Sequence, residues 1–111
     1  MDEKKRKRLE KAGWQVGDAS TFLGLSPEEV EFVEIKLSLA RGLRVRREEQ
    51  GLTQEDVARE VGSSQSRVAK MEAADPSVSV DLLVRSLLKL GASRADVARL
   101  VRRKGRDRSS V

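Results

Sequence analysis

Gln65, Ser66, Arg67 and Lys70 are the side chains of this 111-residue chain best placed to do chemistry. They follow Gly62 in one short stretch and interleave with Val68 and Met71 at helical spacing. That pattern predicts a helix that buries its Val68/Met71 side and turns an amide, a hydroxyl, a guanidinium and an ammonium outward. Such groups donate and accept hydrogen bonds, and their chemistry is recognition. A short helix with this polar face suits base edges in a DNA groove. The competing reading is the solvated face that any amphipathic helix carries. Agreement of cap, turn and core spacing around the row favours recognition.

Other chemistry is poorly supplied. The chain has no Cys and no His, which removes thiol nucleophiles, imidazole bases, disulfides and thiolate or imidazole metal sites. No phosphate loop of the G-x-x-x-x-G-K form is present. Glu48, Glu49, Glu55, Asp56 and Glu60 make an acidic surface on helices expected to be exposed, with no partner nucleophile. The expectation is therefore no enzyme, no cofactor and no metal. Apolar runs are too short to cross a bilayer and the start lacks a signal-peptide pattern, so a cytoplasmic protein is expected.

The elements that must position the row read clearly. Ser26-Pro27-Glu28-Glu29 is a strong helix start: a capping Ser, Pro at the first helical position, and Glu three residues after the cap. The helix is predicted from Pro27 to about Gln50, with Gly42 its only weak point. Val30, Val33, Leu37, Ala40 and Leu43 form one apolar stripe, and Phe32, Ile35 and Leu39 a neighbouring one. Two stripes exceed what one small core needs, which motivates a partner interface. The alternative is cover from an N-terminal Trp14/Phe22 segment. Thr53 caps a second helix that ends at Gly62, with Asp56 completing an imperfect capping box. Ser64 caps the third, which runs to about Ala74. A fourth spans about Val80–Leu90, burying Val80, Leu83, Leu87 and Leu90. Ser93 opens a fifth that buries Val97, Leu100 and Val101. No stretch alternates with period two for long, so the fold class is all-α.

Charge is uneven. The net charge is +5, with +3 in residues 1–11 and +4 in residues 102–111, leaving −2 for the body. Basic ends on a near-neutral body suit a polyanion, or serve merely as solvated tails. Residues 1–11 read as a flexible arm. A short helix capped by Asp18 is expected to run through Leu23, with Gly24 as its left-handed stop and an apolar cluster of Trp14, Val16, Phe22, Leu23 and Leu25 around it.

From Arg47 to Glu72 the chain resembles the Xre/Cro family of phage-type repressors. The resemblance rests on Thr53-Gln54-Glu55-Asp56-Val57-Ala58, Val61-Gly62, Ser64-Gln65-Ser66-Arg67-Val68 and the Met71-Glu72 close. It implies a five-helix Cro/repressor-like domain over residues 37–102; outside it, charge and pattern mark a basic arm at 1–11, an extension at 12–36 and a basic tail at 103–111. It also implies roles. Gln65 matches the principal base reader, able to meet adenine bidentately. Arg67 and Lys70 match groups facing guanine edges or phosphates, and Ser66 a phosphate or thymine-methyl contact. Gln54 and Ser64 match positions near the DNA backbone, and Gln54 is expected to bond a phosphate and steer its neighbour. Arg47 and Glu72 match a structural ion pair, read here as buried rather than exposed. The loop Asp75-Pro76-Ser77-Val78 is about two residues longer than the family pattern.

The resemblance implies a sequence-specific double-stranded DNA-binding regulator, a repressor acting as a homodimer with the Gln65 helix in the major groove. The alternative is the antitoxin of a type II toxin–antitoxin pair, which would bind a toxin and autorepress its operon. An RNA-binding role is weaker: Trp14, Phe22 and Phe32 are the only aromatics and offer no pair for stacking bases.

Overall fold

Local capping sets every helix start. The Ser26 hydroxyl accepts from the Glu29 backbone N–H at 3.1 Å, and the Glu29 carboxylate accepts from the Ser26 N–H at 2.9 Å. This reciprocal box, with Pro27 at the first helical position, launches helix α1, Pro27–Glu49. The structure, a computed structural model, describes residues 24–103. Thr53 and Asp56 make a complete capping box for α2, Gln54–Val61. Gly62 ends α2 at φ +72°, a left-handed turn that glycine adopts without a Cβ penalty. Ser64 caps α3, Gln65–Glu72; Ser79 caps α4, Val80–Lys89; Ser93 and Asp96 box α5, Arg94–Arg102. The described residues contain five helices and no strand.

These helices close on one core. Leu39 and Leu43 of α1, Val57 of α2, Val68 and Met71 of α3, Val78 of the following loop, and Leu83 and Leu87 of α4 are all at most 1% exposed. Helix α3 therefore sits on the core by its apolar side. The Asp75 carboxylate folds the next loop by accepting from both the N–H and the hydroxyl of Ser77. Helices α1 and α5 run antiparallel: the Ser38 hydroxyl donates to the Arg103 carbonyl near one end, and Arg46 pairs with Asp96 near the other. Between these ties an added Cβ on Gly42 would lie 2.5 Å from Leu100 Cδ1. Gly42, a weak point for an isolated helix, is thus where α5 approaches α1 closely.

Several burial expectations change. The buried face of α1 runs through Glu34, Ser38, Leu39, Ala40 and Leu43, while Val30, Val33 and Leu37 are only half-buried. The neighbouring stripe splits: Leu39 is sealed, Ile35 is partly covered and Phe32 is 53% exposed. Position relative to the crossing helices, rather than hydropathy alone, decides which α1 residues are covered. Val80 is only partly buried, and Val101 is exposed because α5 leans on α1 through Leu100. Ser86 is buried at 1% exposure, its hydroxyl donating to Met71 Sδ at 3.4 Å. Leu25 is buried, but the rest of its expected cluster, the helix through Leu23, the arm at 1–11 and the tail beyond Arg103 lie outside the described residues.

Candidate nucleic-acid interface

Helices α2 and α3 pack through Val57, Ala58, Val68 and Met71. That contact fixes how α3 is rolled, and it leaves Ser64, Gln65, Ser66, Arg67 and Lys70 all exposed. Neither Arg67 nor Lys70 has an ion pair among the described residues, so both cations face solvent uncompensated. Ser64 is committed first to its own helix: its hydroxyl oxygen accepts from the Arg67 N–H at 3.2 Å. It also lies 3.4 Å from the Ser66 hydroxyl. With no acidic residue in the first turn of α3, the free backbone N–H groups and positive dipole end there are unopposed.

Gln65 is not loose. Its Nε2 donates to Gln54 Oε1 at 2.6 Å, and Gln54 Nε2 donates to Glu72 Oε1 at 3.0 Å. Glu72 in turn accepts twice from Arg47, at 2.6 Å from Nε and 3.1 Å from Nη2. The remaining guanidinium nitrogen, Nη1, donates to the Leu52 carbonyl at 3.0 Å. A continuous relay therefore leads from the α1–α2 turn, through a bidentate ion pair, to the first residue of α3.

Arg47 and Glu72 are 15% and 7% exposed at the side chain, which makes the pair an inward one. The hydrogen bond to Glu72 pushes the Arg47 guanidinium above its already high ordinary pKa, against the opposing effect of desolvation. Glu72 spends both oxygens on these donors and none on solvent-facing recognition.

The relay decides what Gln65 has left to offer. One N–H is used on Gln54, so a second N–H and the carbonyl oxygen remain. A donor and an acceptor on one amide are what bidentate contact with an adenine edge requires. Gln54 is half-buried and bonded at both amide atoms. Its geometry in this structure is that of a connector between Gln65 and Glu72.

Two contributors were not singled out from sequence. Lys36 Nζ donates to the Asp75 carbonyl at 3.0 Å, bracing the chain where it leaves α3. Gln50 Nε2 donates to the Leu90 carbonyl at 2.8 Å, tying the end of α1 to the end of α4. Each bond spans about forty residues in sequence, so no local signal marks it.

No group of three or more His, Cys, Asp or Glu side chains among the described residues could hold a metal ion. No helix among them is long and apolar enough to cross a membrane. A family model described as a helix-turn-helix domain matches residues 38–105. No curated protein and no solved structure matches the chain.

Proposed function

The chain belongs to the helix-turn-helix domain family, and from that premise we propose that it is an Xre-type, sequence-specific regulator of double-stranded DNA, acting as a homodimeric repressor. Helix α3 enters the major groove, one copy per half-site, with half-site centres about 34 Å apart. Gln65 reads a base edge. Arg67 and Lys70 take guanine edges or phosphates, and Ser66 contacts a phosphate or a thymine methyl. Gln54 and Ser64 sit against the backbone, where the α2 and α3 N-termini add amide donors. Repression follows from occupying a promoter.

The observation that carries this reading is the Gln65–Gln54–Glu72–Arg47 relay. It holds a donor–acceptor amide in one place on an exposed helix, and preorganisation of that kind lowers the ordering cost of binding. Binding-site selection on the purified protein tests it: a palindrome with two half-sites is the expected result. Replacing Gln65 with Ala should then weaken binding to that site by roughly 1–3 kcal/mol and relax one base position. Selection that returns no preferred sequence removes the reading.

A second reading, an antitoxin that binds a toxin and autorepresses its operon, draws on one observation. Phe32 is 53% exposed on the part of α1 that precedes the matched residues. Co-expression with the product of a neighbouring small gene, followed by co-purification through Phe32 but not Phe32→Glu, tests that reading.

A further inference from the structure

The C-terminal half of α1 carries six charged residues from Arg41 to Glu49, and four of them are paired within the chain. Arg44 pairs with Glu48, Arg46 with Asp96 and Arg47 with Glu72. Arg41 and Glu49 have no hydrogen bond or ion pair among the described residues. Both are exposed, and Val45, midway between them, is 43% exposed. All three line a groove of about 450 Å³ between α1 and α5, whose walls include Gly42 and Leu100.

The spacing has a symmetry. Arg41, Val45 and Glu49 stand at i, i+4 and i+8, so they share one helix face in the order positive, apolar, negative. The two charges lie about 12 Å apart along the axis, too far to meet within one chain. A two-fold axis through Val45, perpendicular to α1, reverses the order. It lays Arg41 of each copy over Glu49 of the other and brings the two valines together. Helix axes at the usual packing distance of about 8–10 Å leave both pairs within side-chain reach. Arg44 and Arg46, which the same axis brings closer together, are each paired within the chain, Arg44 with Glu48 and Arg46 with the Asp96 that Arg99 shares.

We propose that the Arg41–Val45–Glu49 face of α1 is the contact between two copies of this chain, an isologous antiparallel pairing in which each copy's Val45 seats at the mouth of the other's α1–α5 groove. An isologous contact must be self-complementary, and this face is so in both charge and apolar character. It also leaves α3 free. Arg47, which faces α3, is two positions from Val45 and so roughly 200° around the helix from it. The pairing places the homodimer of the functional reading on named residues, and it is measured without DNA, so either can fail while the other stands.

Sedimentation equilibrium of the full chain, from micromolar to submillimolar concentration, tests it. The parent protein should dimerise, and Val45→Asp should leave it monomeric, with a melting temperature equal to the parent's at concentrations below the parent's dissociation constant. Arg41→Glu and Glu49→Arg each set like charges opposite one another twice, and each should raise the dissociation constant about tenfold or more. The double reversal restores both opposite-charge pairs and should return it to within about threefold of the parent. A parent chain monomeric throughout, a dimer indifferent to Val45→Asp, or single reversals that the double reversal does not rescue would overturn the assignment. Loss of site-specific DNA binding in Gln65→Ala with the dimer intact would bear only on the DNA reading.

Discussion

Arg46 and Arg47 are neighbours on α1 that serve opposite sides of the molecule. Arg47 turns toward α3, is 15% exposed, and grips Glu72 with two nitrogens. Arg46 turns toward α5, is 28% exposed, and holds Asp96 through a single contact. On the α3 side the buried charges are satisfied internally, and the free hydrogen-bonding groups, Gln65, Arg67 and Lys70, all face out. On the α5 side Asp96 is shared by Arg46 and Arg99, and the charged residues without an ion pair among the described residues are Arg41 and Glu49, which flank Val45 on α1, and Arg94 and Arg102 on α5. The contrast teaches that polar composition does not identify a reading surface. What sets the α3 side apart is that its unsatisfied cations share one outward helix face with an amide held in place by the internal relay.

Mutating the two arginines should break the comparison first and most. Arg47→Ala leaves Glu72 buried against one remaining donor, and a loss of about 3–5 kcal/mol is expected. Arg46→Ala removes a half-exposed pair and should cost under about 1 kcal/mol. Urea unfolding of both variants checks the ranking, and equal losses would erase the distinction between the two sides.

Gln54→Ala comes next. It removes both the link between Gln65 and Glu72 and the backbone contact proposed for Gln54, so specific DNA affinity should fall by about 1–2 kcal/mol, with a stability loss of about 1 kcal/mol from the missing hydrogen bond. Titration of the selected operator, beside thermal unfolding, separates the two effects. If Gln54 matters only for stability, affinity stays where it was.

Arg67→Ala and Lys70→Ala sharpen the comparison more gently. A residue that touches phosphate should weaken binding to all sequences alike and shallow the salt dependence by about one unit, whereas one that reads a guanine edge should cost specificity at one position. Measuring affinity against salt concentration on operator and random duplexes assigns each side chain to one class.

The smallest expected effect is on the α5 side. The Ser93 backbone N–H, followed by Arg99 and the Ser93 hydroxyl, holds the Asp96 carboxyl well below its ordinary value of 3.8. The Thr53 backbone N–H and hydroxyl do the same for Asp56. A depressed folded-state pKa means that these caps contribute fully above the unfolded value, near pH 4, and lose their contribution as pH falls toward the folded value. Acid titration of the fold should therefore show a limb below about pH 4 that flattens in Asp96→Asn. A limb unchanged by that substitution would place acid sensitivity elsewhere.

Much of this molecule was legible without coordinates because the signals were local. Caps at Ser26, Thr53, Ser64 and Ser93, and the left-handed stop at Gly62, act within three or four residues, so each helix boundary could be read from its own neighbourhood. The same holds for the outward row of α3, because Val68 and Met71 set which way that helix must roll. Tertiary structure alone decided what depends on a second helix. It tied Gln54 back to Glu72, gave Gly42 its purpose beneath Leu100, sealed Ser86 and exposed Val101. It also decided which charges of α1 found partners and which were left over. Periodicity tells a helix which residues can share a face, but only a crossing neighbour determines which face is covered.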